Sequence, residues 1–255
     1  MILDKFRLDG QVAIVTGGGR GLGLGIAAGL AEAGADIVSV GRAVEQPFLA
    51  ERVAAAGRRL LPLGRDLGAL DDALAEGILQ AALNEFGRVD ILINNAGINA
   101  RRPAAEYSTA DWDQVVSVNL RSVFLLCRIV GDAMLRQGHG KIVNVASLLA
   151  FQGGITVPAY AASKHAVAGL TKALANEWAG RGVHVNAIAP GYMDTDLNTA
   201  LRADPERNRQ ITERIPAGRW GTPDDLAGAA VFLASAAADY VHGEVLVVDG
   251  GWMAR

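Results

Sequence analysis

Val12-Ala13-Ile14-Val15-Thr16-Gly17-Gly18-Gly19-Arg20-Gly21-Leu22-Gly23 is the stretch on which the reading of this chain turns. A short run of apolar and β-branched residues enters a glycine-rich turn, and a helical pattern over Leu22–Ala33 follows at once. Continuous apolar runs suit parallel strands covered on both faces. Glycine permits positive φ and close approach of a phosphate to the main chain. The helix N-terminus then offers free N–H groups and a positive dipole. A lone glycine-rich turn can be a mere structural corner. Its place after the first strand of a long strand–helix series favours dinucleotide binding, with Gly17, Gly19, Arg20, Gly21, Leu22 and Gly23 at the phosphates.

Working outward, further strand candidates are Ile37–Val40, Leu60–Leu63, Val89–Asn94, Lys141–Ala146, His184–Ala189 and Val245–Asp249. Helical patterns fall between them at Gln46–Ala56, Ala69–Phe86, Ala110–Arg136, Tyr160–Gly180 and Asp224–Ala234. Gly34, Gly57, Gly87, Gly138 and Gly182 follow the last apolar turns, as C-capping glycines do. This alternation predicts right-handed crossovers and a doubly wound, seven-stranded parallel sheet with helices on both faces, a Rossmann fold. Residues 1–255 read as a single dinucleotide-binding catalytic domain. The segment 190–223 has helical stretches but no strand and reads as a substrate-loop insertion over the carboxyl edge of the sheet.

Composition narrows the class. Of 255 residues, 51% are hydrophobic and 20% charged, enough for a large core and against general disorder. The net charge of −3 and the lack of a Lys/Arg block argue against a nucleic-acid partner. Apolar runs such as Val123–Cys127 are too short to cross a bilayer, so no membrane partner is expected. The start, Met1-Ile2-Leu3-Asp4-Lys5, lacks a signal-peptide pattern. One cysteine, Cys127, excludes an internal disulfide and a Cys-rich metal site. A cytoplasmic protein without a metal is the expectation.

The end of the second strand should read the adenosine ribose, and an NAD site wants an acid there. Asp36 precedes the apolar run and so lies at the wrong end; the carboxyl end reads Val40-Gly41-Arg42. Arg42, with Arg20 in the glycine turn, suits bidentate binding of a 2′-phosphate, although any single Arg is more often solvated. The expected cofactor is NADP(H) in preference to NAD(H), with NAD(H) still possible.

Three more signals fall at strand ends or on one helix face. Asn94-Asn95-Ala96-Gly97 closes the fourth strand, Ser147 follows the fifth, and Tyr160-Ala161-Ala162-Ser163-Lys164 opens a long helix. Residues four apart share a helix face. A cation beside a phenol favours the phenolate, which a general acid/base working near neutrality requires. Alone, such a Tyr/Lys pair could be chance on an amphipathic helix.

Together these pieces resemble the short-chain dehydrogenase/reductase family over Leu8 to Gly251. The matches are Thr16–Gly23, Asp66, Asn94–Gly97, Asn119, Ser147, Tyr160, Lys164, Pro190-Gly191 and Val248-Asp249-Gly250-Gly251. The resemblance implies a nicotinamide cofactor and a catalytic set of Asn119, Ser147, Tyr160 and Lys164. In it Lys164 lowers the pKa of Tyr160 and Asn119 lies on a water-linked proton path. Asp66 and Leu67 would lie at the adenine; Asn95, Ala96, Gly97, Tyr160, Lys164, Pro190 and Gly191 would line the rest of the cofactor site. Gly41-Arg42 departs from the NAD-type pattern.

Within the family the chain looks closest to sugar-acid dehydrogenases, which include the 2-deoxy-D-gluconate 3-dehydrogenases, also known as 2-keto-3-deoxygluconate 5-dehydrogenases, and the gluconate 5-dehydrogenases. Segments carrying this include Arg101-Arg102, Ser147–Ile155, Ala187–Met193, Arg214–Gly221 and Asp249–Arg255. The substrate side should then hold Tyr160, Gln152 and Tyr192, and Arg102 on a carboxylate, stiffened by Pro103. Arg101 and Arg219 are the other candidates. The family also implies a homotetramer, with contacts through the last strand and the helix before it and through the two long helices at 110–136 and 160–180. A 3-oxoacyl-carrier-protein reductase shares the same catalytic residues. A non-catalytic nucleotide sensor would have lost one of Ser147, Tyr160 or Lys164, and all three are present.

Overall fold

The computed structural model describes every residue, Met1–Arg255. Seven strands form one parallel sheet: β1 (Val12–Thr16), β2 (Asp36–Gly41), β3 (Leu60–Gly64), β4 (Ile91–Asn94), β5 (Gly140–Val145), β6 (Val183–Pro190) and β7 (Val245–Val248). Their spatial order is β3-β2-β1-β4-β5-β6-β7. The order reverses between β1 and β4, where an open α/β sheet leaves a crevice at its carboxyl edge.

Period-two alternation splits the core. Val12 and Ile14 join one apolar cluster, with helices α3 (Asp72–Phe86), α5 (Ser122–Gln137) and α6 (Pro158–Trp178). Ala13 and Val15 face the other, with α1 (Gly21–Glu32), α2 (Pro47–Ala55) and α9 (Ala227–Ala234). Burial on both faces is why the strands read as continuous apolar runs. Gly87 and Gly138 close α3 and α5 in the left-handed region, with φ of 78° in each.

Three expectations shift. The fourth strand starts at Ile91, because the buried Asp90 carboxylate accepts from the Val12 N–H and pairs with Arg88. The third helix starts at Asp72: Asp66 caps a short 3-10 turn at Leu67–Ala69, and Asp71 then caps the helix. The long helix expected at Ala110–Arg136 is interrupted. It consists of α4 (Thr109–Val116), a π turn at Ser117–Arg121 and then α5. The run Thr109–Gln137 is long and apolar enough to cross a membrane by length and composition, a test the shorter apolar runs had hidden; half of that apolar window is buried inside the fold.

The segment after β6 holds a 3-10 turn at Asp196–Asn198, α7 (Thr199–Ala203) and α8 (Pro205–Arg214). Its base is closed by the Asp194 N–H on the Gly221 carbonyl at 2.7 Å and the Gly221 N–H on the Tyr192 carbonyl at 2.9 Å. Leu148, Ile211, Ile215 and Trp252 form a small apolar cluster of their own beneath it.

Candidate active site

The glycine turn is shaped by main-chain crowding. Gly17 and Gly21 have φ of 68° and 53°. A Cβ on Gly23 would lie 2.1 Å from the Gly17 carbonyl oxygen, so only hydrogen fits there. Thr16 ties the turn to the end of β4. Its hydroxyl accepts from the Asn95 and Ala96 N–H groups at 2.9 and 3.0 Å, and Asn95 Nδ2 donates to the Thr16 carbonyl at 2.9 Å. Leu22 packs against the core beside the turn. Beneath the turn, Ser39 Oγ and Gln46 Oε1 are buried without a partner. A narrow cradle with free donors at the head of α1 fits a dinucleotide pyrophosphate.

Arg42 projects from the end of β2, exposed and unpaired, which leaves it free for a phosphate. Arg20 caps α1 but reaches Asp196 across the cleft at 3.4 Å, an exposed pair of small energetic weight. Asp36 starts β2 and is held by Arg58 and Arg59, far from the ribose end. Asp66 stands exposed beyond β3, one oxygen accepting from the Gly68 N–H, with Leu67 buried beside it. Gly191 passes so close to β7 that a Cβ would lie 2.6 Å from Asp249 Cα, and Pro190 pairs with Val248.

At the centre the sheet and α6 converge. Ser147 lies two residues beyond β5 and caps a 3-10 turn, its hydroxyl accepting from the Leu149 N–H. Tyr160 sits in the first turn of α6, where the helix dipole favours an anion. Burial pushes its phenol up, while Ser147 and then the Arg101 charge pull it down. Lys164, one turn on, is only 3% exposed, and burial lowers its ammonium to about 8. Its Nζ donates to the Val145 carbonyl at 2.6 Å and lies 5.6 Å from the Tyr160 ring centre.

Asn119 sits in the π turn and is fully buried. Its Oδ1 accepts from the Ile98 N–H at 2.8 Å, and its Nδ2 donates to the Ile98 carbonyl at 2.9 Å and to Ser163 Oγ at 3.3 Å. Ser163 Oγ in turn donates to the Tyr160 carbonyl at 2.8 Å. The amide is spent on holding the strand-end loop to α6 and has no direct contact with Lys164. Gly97 separates the two: a Cβ there would be 3.5 Å from Asn119 Oδ1 and 3.8 Å from Lys164 Nζ.

On the substrate side the arginines differ in their partners. Arg102, the expected carboxylate contact, donates from Nε to Asp111 at 2.9 Å. Arg101 makes no hydrogen bond or ion pair, and its charge reaches Tyr160. Arg219 is engaged by Asp225 through two nitrogens. Tyr192 is wedged between Trp220 and Trp252, with ring centres at 5.4 and 4.6 Å. Gln152 donates to Met253 Sδ near the C-terminus. The crevice thus gathers Ser147, Tyr160 and Lys164, with the Arg101 charge bearing on Tyr160. Thr16 and Ser163 went unread; the hydroxyl residue ending the first strand was the visible signal for Thr16.

A family model of the short-chain alcohol dehydrogenase type, described as enoyl-(acyl carrier protein) reductase, matches residues 17–253. A 2-dehydro-3-deoxy-D-gluconate 5-dehydrogenase from Dickeya dadantii is 54% identical over 256 residues, covering 100% of both chains. A Beutenbergia cavernae structure with bound NADP is 54% identical, with a TM-score of 0.93, over 98% of this chain and 100% of that one. A gluconate 5-dehydrogenase from Burkholderia cenocepacia, in complex with NADP and tartrate, is 43% identical, with a TM-score of 0.94, over 100% of both chains. With the Tyr160/Lys164 helix face, Ser147 and the glycine cradle set at one sheet edge, this chain belongs to the short-chain dehydrogenase/reductase family.

Proposed function

We propose that this chain is an NADP(H)-preferring dehydrogenase that interconverts a secondary alcohol and a ketone on a sugar acid of the gluconate or deoxy-keto-gluconate class. The observation that carries the substrate class is Arg101, an unpaired cation whose charge bears on the Tyr160 phenol, while Arg102 and Arg219 nearby are each held by an aspartate. The sugar-acid names of relatives matched along their whole length support it.

The hydride is the contribution of a bound nicotinamide. The chain's own residues handle oxygen and proton. Tyr160 takes the proton from the alcohol in oxidation and returns it to the ketone oxygen in reduction. Ser147 hydrogen-bonds the same oxygen and stabilises charge that develops on it. Lys164 holds the nicotinamide ribose, and its buried charge sits one helical turn from the phenol. Asn119 fixes Ile98, and with it the floor of the crevice. Arg42 binds the 2′-phosphate, joined by Arg20 when that side chain leaves Asp196. Arg101 binds the substrate carboxylate.

Residues 1–255 act as one catalytic unit, with 190–223 as the substrate-side cover. The reading extends to a cytoplasmic homotetramer. In support, Phe124 on α5 is 45% exposed, an apolar ring that its own chain covers only in part; light scattering at micromolar concentration tests the assembly. A carrier-protein reductase would want a basic rim for its acidic partner, whereas Arg102, Arg202 and Arg219 are each paired with an aspartate.

The deciding experiment compares sugar acids, neutral polyols and acyl thioesters with NADP(H) and NAD(H), in the unmutated chain and in Arg101→Ala. Preference for a sugar acid with NADP(H), lost selectively in Arg101→Ala, supports the proposal. Turnover of the thioester alone overturns it.

A further inference from the structure

The loop Ile98–Pro103, between β4 and α4, is anchored along its length. Asn119 holds both main-chain groups of Ile98. Tyr107 OH donates to the Ala100 carbonyl at 3.2 Å. The Arg102 N–H donates to the Thr156 carbonyl at 2.9 Å, which joins this loop to the one leading into α6. Thr156 is the one non-glycine residue with positive φ, at 62°, a strained conformation for a β-branched residue. The Arg102 side chain closes on Asp111, in the first turn of α4, whose own N–H is capped by Ser108 Oγ at 3.0 Å. Arg101 is the one arginine side chain in this loop left without a partner.

Adjacent residues in an extended segment point to opposite sides. Arg102 precedes Pro103, which biases it toward extended backbone. With Arg102 drawn onto α4, that alternation leaves Arg101 for the opposite side, from which its charge bears on Tyr160. We propose that Asp111 is a positioning residue for substrate recognition: by clasping Arg102 it aims Arg101 at the space beside Tyr160 and Ser147. The proposal rests on the reading of Arg101 as the carboxylate contact, and it adds a specificity determinant that never touches substrate. An exposed ion pair contributes little to stability by itself, so a merely structural role would leave catalysis almost untouched.

The test uses the full chain with NADP+, gluconate as the acidic substrate and a neutral polyol. Asp111→Asn and Arg102→Ala are expected to raise KM for gluconate about five- to tenfold, less than complete loss of a charged contact would. Values of kcat and the polyol KM stay within about twofold, since no transition-state contact is removed. In an Arg101→Ala background Asp111→Asn has no further effect, and Asp111→Glu restores part of the affinity. A second readout needs no carboxylate. In the pH profile of kcat/KM for the polyol, Arg101→Ala moves the Tyr160 limb to higher pH. Asp111→Asn moves it the same way by less, with Lys164 unchanged as the other charge facing the phenol. If Arg101→Ala spares gluconate selectivity while both variants shift the limb together, the carboxylate reading fails and the positioning role stands. If Asp111→Asn affects both substrates equally, or keeps its effect without Arg101, the positioning role is overturned.

Discussion

The two sides of the crevice are built differently. On the cofactor side the main chain makes the site. Gly17 and Gly23 crowd against one another, and Thr16 and Asn95 lock turn to strand through main-chain groups. On the substrate side, side-chain partners decide. Arg102 follows Asp111, Arg219 follows Asp225, Arg202 follows Asp194, and Tyr192 is fixed by two indoles. A main-chain site is set by residue type and strand order. A side-chain site depends on which of several neighbours captures each group, and of two adjacent arginines in one loop Arg102 ends paired with Asp111 while Arg101 ends unpaired.

The sharpest way to break this contrast is Tyr160→Phe, because it strikes where the two sides meet. Turnover should fall about 10²–10⁴-fold, the usual contribution of a positioned acid/base. The main-chain cradle should go on binding NADPH, read by fluorescence titration. Near-normal kcat would end the proposed chemistry.

Lys164→Met tests the cost of the buried charge. The folded pKa of about 8 lies below the ordinary value of 10.5. Below pH 8 both folded and unfolded chains carry the proton, and the burial penalty is felt in full. Between pH 8 and 10.5 the unfolded chain binds more protons, so stability gains as pH rises. The variant should be more stable than the parent at pH 7, by up to about 3 kcal/mol, less what the Val145 carbonyl loses with its donor. That advantage should shrink across pH 8 to 10.5, followed by thermal melting of both proteins. An advantage that is constant with pH would mean that Lys164 is not strained by burial.

Arg42→Ala sharpens the cofactor side, the one place there where a side chain is asked to discriminate. NADP+ affinity should fall by about 1.5–3 kcal/mol, as for a lost charged hydrogen bond. NAD+ affinity should hold. Calorimetric titration of both nucleotides separates the outcomes, and equal losses for the two would deny Arg42 its phosphate. The smallest effect is expected at Gly138→Ala, remote from the crevice, where φ of 78° costs an L-residue about 1–2 kcal/mol. The melting temperature should drop a few degrees with kcat unchanged.

The same contrast explains what could be read from residues alone. The strands were legible because both faces are covered, so Val12–Val15 and Ile91–Ile93 show as unbroken apolar runs. Gly87 and Gly138 were legible because a left-handed cap selects its residue type. Ser147, Tyr160 and Lys164 were readable as a combination, and the structure brings them to one sheet edge. The partner of Arg102 was not legible, because Pro103 stiffens its backbone but does not choose its partner; Asp111, nine residues on, comes close only once α4 is folded. The partners of Asn119 were hidden for a similar reason. No periodicity announces a π turn, and Ile98 is distant in sequence.

That π turn sets an angle. Its closing bond runs from the Ser122 N–H to the Ser117 carbonyl, five residues back, so one residue more than an α-helix needs is looped in. Each helical residue turns the chain by about 100° and advances it about 1.5 Å. The surplus residue therefore acts as a phase shifter between α4, which presents Asp111 to the loop after β4, and α5, which buries Val123, Leu126 and Val130 against the sheet. Straightening it into α-helix by deleting one residue would leave α5 seated and swing α4 through roughly a quarter of a turn. The spacing between Asn119 and Asp111 thus sets how α4 meets the loop after β4 as much as either residue does.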